Sequence, residues 1–130
     1  MQIKKLHHVG IVVENLQRAI DKFIGFGFSC TEVRDLKEVG ITIAFFPVGD
    51  SLIELLYYDP DKKQEAPAGS QGGALNHICF EVADLESSIQ LFQKNGAKLT
   101  EGFPKAMGKG RIAFFDPETT EGILMEILQE

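Results

Sequence analysis

The amino-acid sequence predicts an α+β fold built from two copies of one β-α-β-β-β module. The first observation is an internal repeat, because the residues from His8 to Phe46 match those that begin at His77 without a gap. The second is helical periodicity after the first strand-like run of each half. The third is a lone glutamate late in each half. The matched positions include His8 with His77, Asn15 with Asp84, Ile20 with Ile89, Phe23 with Phe92 and Gly27 with Gly96.

The first module is expected over about residues 5–58. A strand is predicted over 6–13, where the residues are apolar and β-branched, and Asn15 is a suitable N-cap for the helix that follows. Apolar residues at helical spacing continue that helix to about Ile24. Three more strands are predicted at 28–35, 39–47 and 51–58.

A linker is expected at residues 59–73, because this stretch carries prolines, glycines and charges without periodicity. The second module, at about 74–130, repeats the order of the first. Asp84 caps its helix and Asn95 ends it. Its strands are predicted at 75–82, 97–101, 110–116 and 122–128, and the segment 101–110 is predicted to be a mobile loop.

The length and composition are typical of one compact domain, expected over residues 1–130. Of these 130 residues, 44% are hydrophobic and 25% are charged, which is ordinary for a soluble protein with its own core. A net charge of −6 without a basic run argues against a nucleic-acid partner. No apolar stretch approaches the roughly 20 residues of a membrane span, and no signal peptide is evident. Two cysteines make no disulfide framework, so a cytoplasmic protein is expected.

Two histidines and two glutamates occupy matched positions in the two halves. His8 and His77 lie in the first strand of each module, and Glu54 and Glu126 interrupt an apolar run in its last strand. A buried carboxylate is costly unless it is paired, hydrogen-bonded or bound to a cation. Imidazoles and carboxylates are a suitable ligand set for one divalent transition metal, which a pseudo-two-fold axis would place between the modules. His7 points to the opposite face from its neighbour and is expected at the surface or behind the ligands.

Paired β-α-β-β-β modules with the order His, Glu, His, Glu resemble the vicinal oxygen chelate superfamily, also called the glyoxalase, bleomycin-resistance and dioxygenase superfamily. The resemblance covers nearly the whole chain. It implies an eight-stranded, U-shaped mixed sheet around a metal site, with His8, Glu54, His77 and Glu126 as the metal ligands. It leaves the metal open among Co²⁺, Ni²⁺, Zn²⁺ and Mn²⁺. It also implies a homodimer.

Within the superfamily, three parts of the chain resemble the methylmalonyl-CoA epimerases. The chain departs from their pattern at Asn76, where they usually carry a second histidine, and at 116–118, where they often carry His-Pro-Lys. The resemblance implies epimerisation of a short-chain acyl-CoA by proton abstraction through a metal-stabilised enediolate, with Glu38 and Glu126 as catalytic bases. The similar stretches are 44–56, 77–82 and 120–126.

Two other functions stay open at this point. A lactoylglutathione lyase, or glyoxalase I, would isomerise a thiohemiacetal through a similar enediolate. A non-catalytic resistance protein would bind a small molecule without needing metal ligands, so the four filled ligand positions argue against it. An extradiol dioxygenase ranks last, because it usually has more modules. Lys105, Lys109 and Arg111 are candidates for binding anionic groups of a substrate.

Overall fold

The computed structural model describes residues 2–65 and 74–130. The chain divides into two compact units, and the divisions fall within two strands, β1 (Ile3–Val12) and β5 (Ala74–Val82). The middle unit comprises His8–Asn76. The terminal unit comprises the chain up to His7 together with His77–Glu130. Residues of β1 and of β5 therefore belong to both units.

In its described residues, the middle unit contains one α-helix and the strand order β2-β3-β4-β1. Strands β1 and β4 run parallel, whereas β4, β3 and β2 pair antiparallel. Asn15 caps the helix as predicted, because its side-chain oxygen accepts a hydrogen bond of 2.9 Å from the backbone N–H of Arg18. The elements after β1 are α1 (Leu16–Gly25), β2 (Glu32–Leu36), β3 (Ile41–Val48) and β4 (Ser51–Tyr58).

The core of the middle unit lies between α1 and its strands. Ile20 of α1 is buried there against Ala44 and Phe46 of β3 and Leu55 of β4. Successive side chains of a strand point to opposite faces. Phe45 therefore lies on the face turned away from the helix, and this second face carries the polar residues described below.

The terminal unit repeats this arrangement, with the strand order β1-β5-β8-β7-β6. Strands β5 and β8 run parallel, and β8, β7 and β6 pair antiparallel. The backbone N–H of Ala83, just after β5, donates a hydrogen bond of 2.8 Å to the carbonyl of Gln2. Its core comprises Val82, Leu85, Ile89, Ala113, Phe115 and Ile127. Its elements are β5 (Ala74–Val82), α2 (Leu85–Lys94), β6 (Lys105–Met107), β7 (Gly110–Phe114) and β8 (Met125–Gln129).

The prediction of a strand near 97–101 is wrong. Only Leu99 pairs there, in an isolated bridge with Phe115. The strand that follows α2 is β6, which lies within the predicted loop 101–110. The reason is a two-residue hairpin turn, in which Gly108 has a φ of 59° and Met107 pairs with Gly110. A strand of three residues is too short to show an alternating pattern in the sequence.

Two other boundaries differ from prediction. Strand β2 begins at Glu32 and not at 28, because Phe28 packs against Phe23 with ring centroids 5.1 Å apart and closes the end of α1. The predicted linker 59–73 contains a 3-10 helix over Pro60–Glu65, and residues 66–73 lie outside the described part of the chain.

Two β-α-β-β-β modules contribute eight strands to one mixed sheet, which confirms the predicted α+β fold. Among the described residues, no helix is long and apolar enough to cross a membrane.

Candidate functional site

A buried histidine and glutamate meet in the middle unit. His8 lies on β1 and Glu54 on the neighbouring parallel strand β4. Nδ1 of His8 is 3.4 Å from Oε2 of Glu54, and the two residues are 6% and 8% exposed. The register places Gly10 beside Glu54 and His8 beside Leu52. Gly10, which has no side chain, is therefore the residue level with Glu54 on this face.

A second pair occupies the matching place in the terminal unit. His77 lies on β5 and Glu126 on the parallel strand β8. Nε2 of His77 is 3.2 Å from Oε1 of Glu126, and the residues are 7% and 5% exposed. The imidazole of His77 packs against the ring of Phe114 in a T-shaped contact, with ring centroids 5.6 Å apart. Glu126 is paired with Cys79, which is two residues after His77. In the same way, Glu54 is paired with Gly10, which is two residues after His8.

The donors of both pairs fit a divalent transition metal. Each pair offers an imidazole nitrogen and a carboxylate oxygen, which are the ligand types that zinc, cobalt, nickel and manganese take. Each carboxylate is buried among apolar neighbours, where a cation offsets the cost of removing it from water. The structure therefore brings His8 to Glu54 and His77 to Glu126, as metal ligation requires.

The face of the middle unit that bears His8 and Glu54 carries a further charged pair, which the sequence did not indicate. Register partners share a face of the sheet, and Glu54 is paired with Phe45, which is paired with Glu32. Arg34 therefore lies on this face too, two residues beyond Glu32. Charged residues on a short strand are usually solvated, and only the register shows which way they point.

The predicted base Glu38 is exposed in the turn between β2 and β3. Ile41, the first residue of β3, is four residues from Phe45, which is level with Glu54. At roughly 3.3 Å per residue, the start of β3 is about 13 Å along the sheet from Glu54, and Glu38 lies beyond it. The structure does not bring Glu38 to the histidine–glutamate pair, so its catalytic role stays a prediction.

His7 belongs to a cluster of ionisable groups in the terminal unit. A nitrogen of His7 and a carboxylate oxygen from each of Glu81 and Glu130 lie within 4.8 Å of one another. Lys4 Nζ also donates to Glu81 at 3.1 Å. That hydrogen bond is the main cause that lowers the pKa of Glu81, and the nearby positive charges add to it. Because a lysine ammonium already occupies this cluster, it is best described as an ion-pair network.

Among the three candidate anion-binding residues of the terminal unit, Lys109 is exposed in the turn between β6 and β7. The other two contact neighbouring side chains. Both terminal nitrogens of Arg111 donate hydrogen bonds to the carboxylate of Glu86, and these bonds raise the pKa of Arg111. Lys105 lies over the ring of Phe103, with Nζ 4.9 Å from the ring centroid. Arg111 is therefore held against a carboxylate.

The repeated fold and its two buried His–Glu pairs define a two-module protein with the ligand types of a metalloenzyme. The chain belongs to the Glyoxalase/Bleomycin resistance protein/Dioxygenase superfamily, whose family model matches residues 7–115.

Relatives in the superfamily are named as epimerases, which is an enzyme class. The mitochondrial methylmalonyl-CoA epimerase of Dictyostelium discoideum is 30% identical over 129 residues, covering 96% of this chain and 78% of the relative. The ethylmalonyl-CoA/methylmalonyl-CoA epimerase of Cereibacter sphaeroides is 30% identical over 98% of both chains. A variant of the Streptomyces coelicolor methylmalonyl-CoA epimerase, solved with 2-nitronate-propionyl-CoA, shares the fold with a TM-score of 0.80 at 21% identity over 98% of both chains. The resemblance seen in the sequence is confirmed.

Proposed function

We propose that this chain is a metal-dependent epimerase of a short-chain acyl-CoA, similar to the methylmalonyl-CoA epimerases. The observation that carries the proposal is the buried His–Glu pair at matched positions of the two modules. The names of the two relatives support the epimerase activity. The acyl-CoA compound bound to the Streptomyces coelicolor protein supports the substrate class.

The proposed metal ligands are His8, Glu54, His77 and Glu126, which together bind one divalent ion among Co²⁺, Ni²⁺, Zn²⁺ and Mn²⁺. A single pair offers two donors, and a metal site with protein ligands usually has three or four. The sequence repeat therefore supports one ion shared by both pairs. A metal held by these residues would supply Lewis-acid polarisation of a substrate carbonyl.

Side chains of the protein move the proton in this proposal. Epimerisation removes the proton from the carbon next to the thioester carbonyl and returns a proton to the opposite face of that carbon. Each face needs its own base. We assign Glu126 to one face and Glu38 to the other. For Glu38 to act, its exposed turn must close toward the face that bears Glu54.

An isomerisation of the lactoylglutathione lyase type is the second candidate. It is favoured by strand β3, which presents the apolar residues Ile43 and Phe45 on the face beside Glu54. A reaction that moves one proton between neighbouring carbons on the same side needs a single base. Glu126 alone would serve as that base, so a reaction of this type needs no movement of the turn that bears Glu38.

The two candidates are separated by supplying the metal-loaded protein with methylmalonyl-CoA in D₂O and, separately, with the methylglyoxal–glutathione adduct. We expect deuterium at the α-carbon of methylmalonyl-CoA and interconversion of its stereoisomers, both lost in His77→Ala. Turnover of the glutathione adduct alone would replace the epimerase with the lyase. Turnover of neither substrate would contradict both.

We also propose that the protein is a cytoplasmic homodimer. Phe26, at the end of α1, is 70% exposed and supports an apolar contact surface. Static light scattering at micromolar concentration should give twice the monomer mass of 14.4 kDa. A mass that stays at the monomer value would contradict the dimer. Cell fractionation tests the location independently.

A further inference from the structure

The pair Arg34 and Glu32 stands in a continuous row with the proposed metal ligand of the middle unit. Glu32 is level with Phe45 and Phe45 is level with Glu54. With neighbouring strands about 4.8 Å apart, the backbone at Glu32 is about 10 Å from that at Glu54 on the same face. A substrate that has its reacting end at Glu54 and extends toward the edge strand β2 would therefore have its next part above β3 and β2.

The guanidinium of Arg34 is held in a defined orientation. It lies over the ring of Phe45, with Cζ 4.8 Å from the ring centroid. Glu32 accepts hydrogen bonds from Nε at 2.8 Å and from Nη2 at 3.1 Å. The ring of Phe45 and the carboxylate of Glu32 together fix the plane of the guanidinium. Little side-chain entropy of Arg34 therefore remains to be lost when a ligand binds.

The same geometry leaves donors for a ligand. A guanidinium has five N–H groups, and Glu32 takes two of those on Arg34. The other three have no partner among residues 2–65 and 74–130, and the side chain is 53% exposed. The fork geometry of arginine matches phosphate and carboxylate oxygens. The row therefore ends in a preoriented donor group for an oxyanion.

We infer that Arg34 binds an anionic group on the thiol carrier of the substrate, which in coenzyme A is a phosphate. This inference rests on the proposed function, in which the acyl end lies at the His–Glu pairs and the carrier extends away from them. Arg34 then positions the carrier and sets substrate affinity, while the proton transfer depends on other residues. In a glutathione adduct, the same contact would fall on a carboxylate.

The test measures binding of free ligands to the metal-loaded protein by calorimetry. The ligands are coenzyme A, pantetheine, which lacks the phosphates, and S-methylglutathione. Arg34→Met should weaken binding of coenzyme A about tenfold or more, as loss of a charge-assisted hydrogen bond predicts. It should leave pantetheine binding and kcat unchanged, so that the loss appears in KM. Arg34→Lys, which keeps the charge but not the fork, should fall between.

The matched control is Arg18→Met. Arg18 is an exposed residue of α1, on the other face of the strands, and its loss changes the net charge equally. Unchanged binding of both coenzyme A and S-methylglutathione in Arg34→Met, or an equal loss in Arg18→Met, would overturn the inference. A loss confined to S-methylglutathione would retain Arg34 and identify the anion as a carboxylate. Tight binding of coenzyme A through Arg34 without epimerisation would reject the proposed function alone, and binding of no ligand by the wild type would reject both.

Discussion

Gly10 lies directly beside Glu54 in the parallel register of β1 and β4, on the same face of the sheet. The glutamate leans from this position toward His8, two residues earlier on β1. Gly10 adds no side chain to the face that carries the pair. We expect this space to be needed for the pair to form.

Gly10→Val should impair metal binding and lower stability, because the added methyl groups enter a buried site. Overpacking of this kind typically costs about 1–3 kcal/mol of unfolding free energy. Urea unfolding and elemental analysis of the purified variant measure the two effects. Gly25→Ala is the control, since a Cβ at Gly25 meets no atom within 4 Å. Wild-type metal content in Gly10→Val would show that the space beside Glu54 is unnecessary.

His77→Ala should abolish metal binding and not merely halve it, if one ion is shared by the two pairs. The wild type should hold one divalent ion per chain, measured by elemental analysis after purification without chelator. Removal of the ion should also lower the melting temperature, because a ligand that binds only the folded state stabilises it. Half-occupancy in both His77→Ala and His8→Ala would instead indicate a separate ion at each pair.

Glu38→Gln tests whether the turn before β3 supplies a base. The variant should keep its metal, since Glu38 is not a proposed ligand, and it should epimerise at least about 100-fold more slowly, the usual effect of losing a general base. Exchange of the α-proton with solvent, followed by NMR from each stereoisomer, shows which face has lost its base. Full activity from both stereoisomers would exclude Glu38, in agreement with its distance from Glu54.

Glu81→Gln should destabilise the protein at neutral pH and not in acid. The pKa of Glu81 in the folded protein is lowered, chiefly by the hydrogen bond from Lys4. Its contribution is therefore present above the ordinary pKa of a glutamate and is lost as the pH falls through the lowered value. Urea unfolding should show a loss of up to about 1 kcal/mol at pH 7 that shrinks toward zero on acidification. Glu14→Gln, an equal charge change at an exposed position, serves as the control; a loss that persists in acid would point to a packing effect.

The four predicted ligand residues could be recognised from the sequence because each interrupts an otherwise apolar strand. A histidine or glutamate is conspicuous among Leu, Ile and Val, and the repeat showed that the interruptions match. The sequence also predicted both helix caps, Asn15 and Asp84, because the side chain that accepts the hydrogen bond lies directly before the helix. These features depend on residues close together in the chain.

The features that the sequence did not show depend on register. Arg34 becomes part of the Glu54 face only through two successive strand pairings. Strand β6 exists because Gly108 permits a tight hairpin, although its three residues carry no apolar pattern. Glu38 could be placed before a strand from the sequence, but its distance from Glu54 follows from the pairing of β3 with β4.

The first strand has a consequence for synthesis of the protein on the ribosome. Residues up to His7 belong to the terminal unit, whose other members begin at His77, and Gln2 accepts its hydrogen bond from Ala83. Because Ile3–His7 is synthesised before these partners, it must wait without them until β5 and the strands after it have been made. Pairing between such distant segments slows folding, because a long loop must close before any contact is gained. We expect nascent chains that stop before β5 to leave Ile3–His7 accessible to protease, and completed chains to protect it.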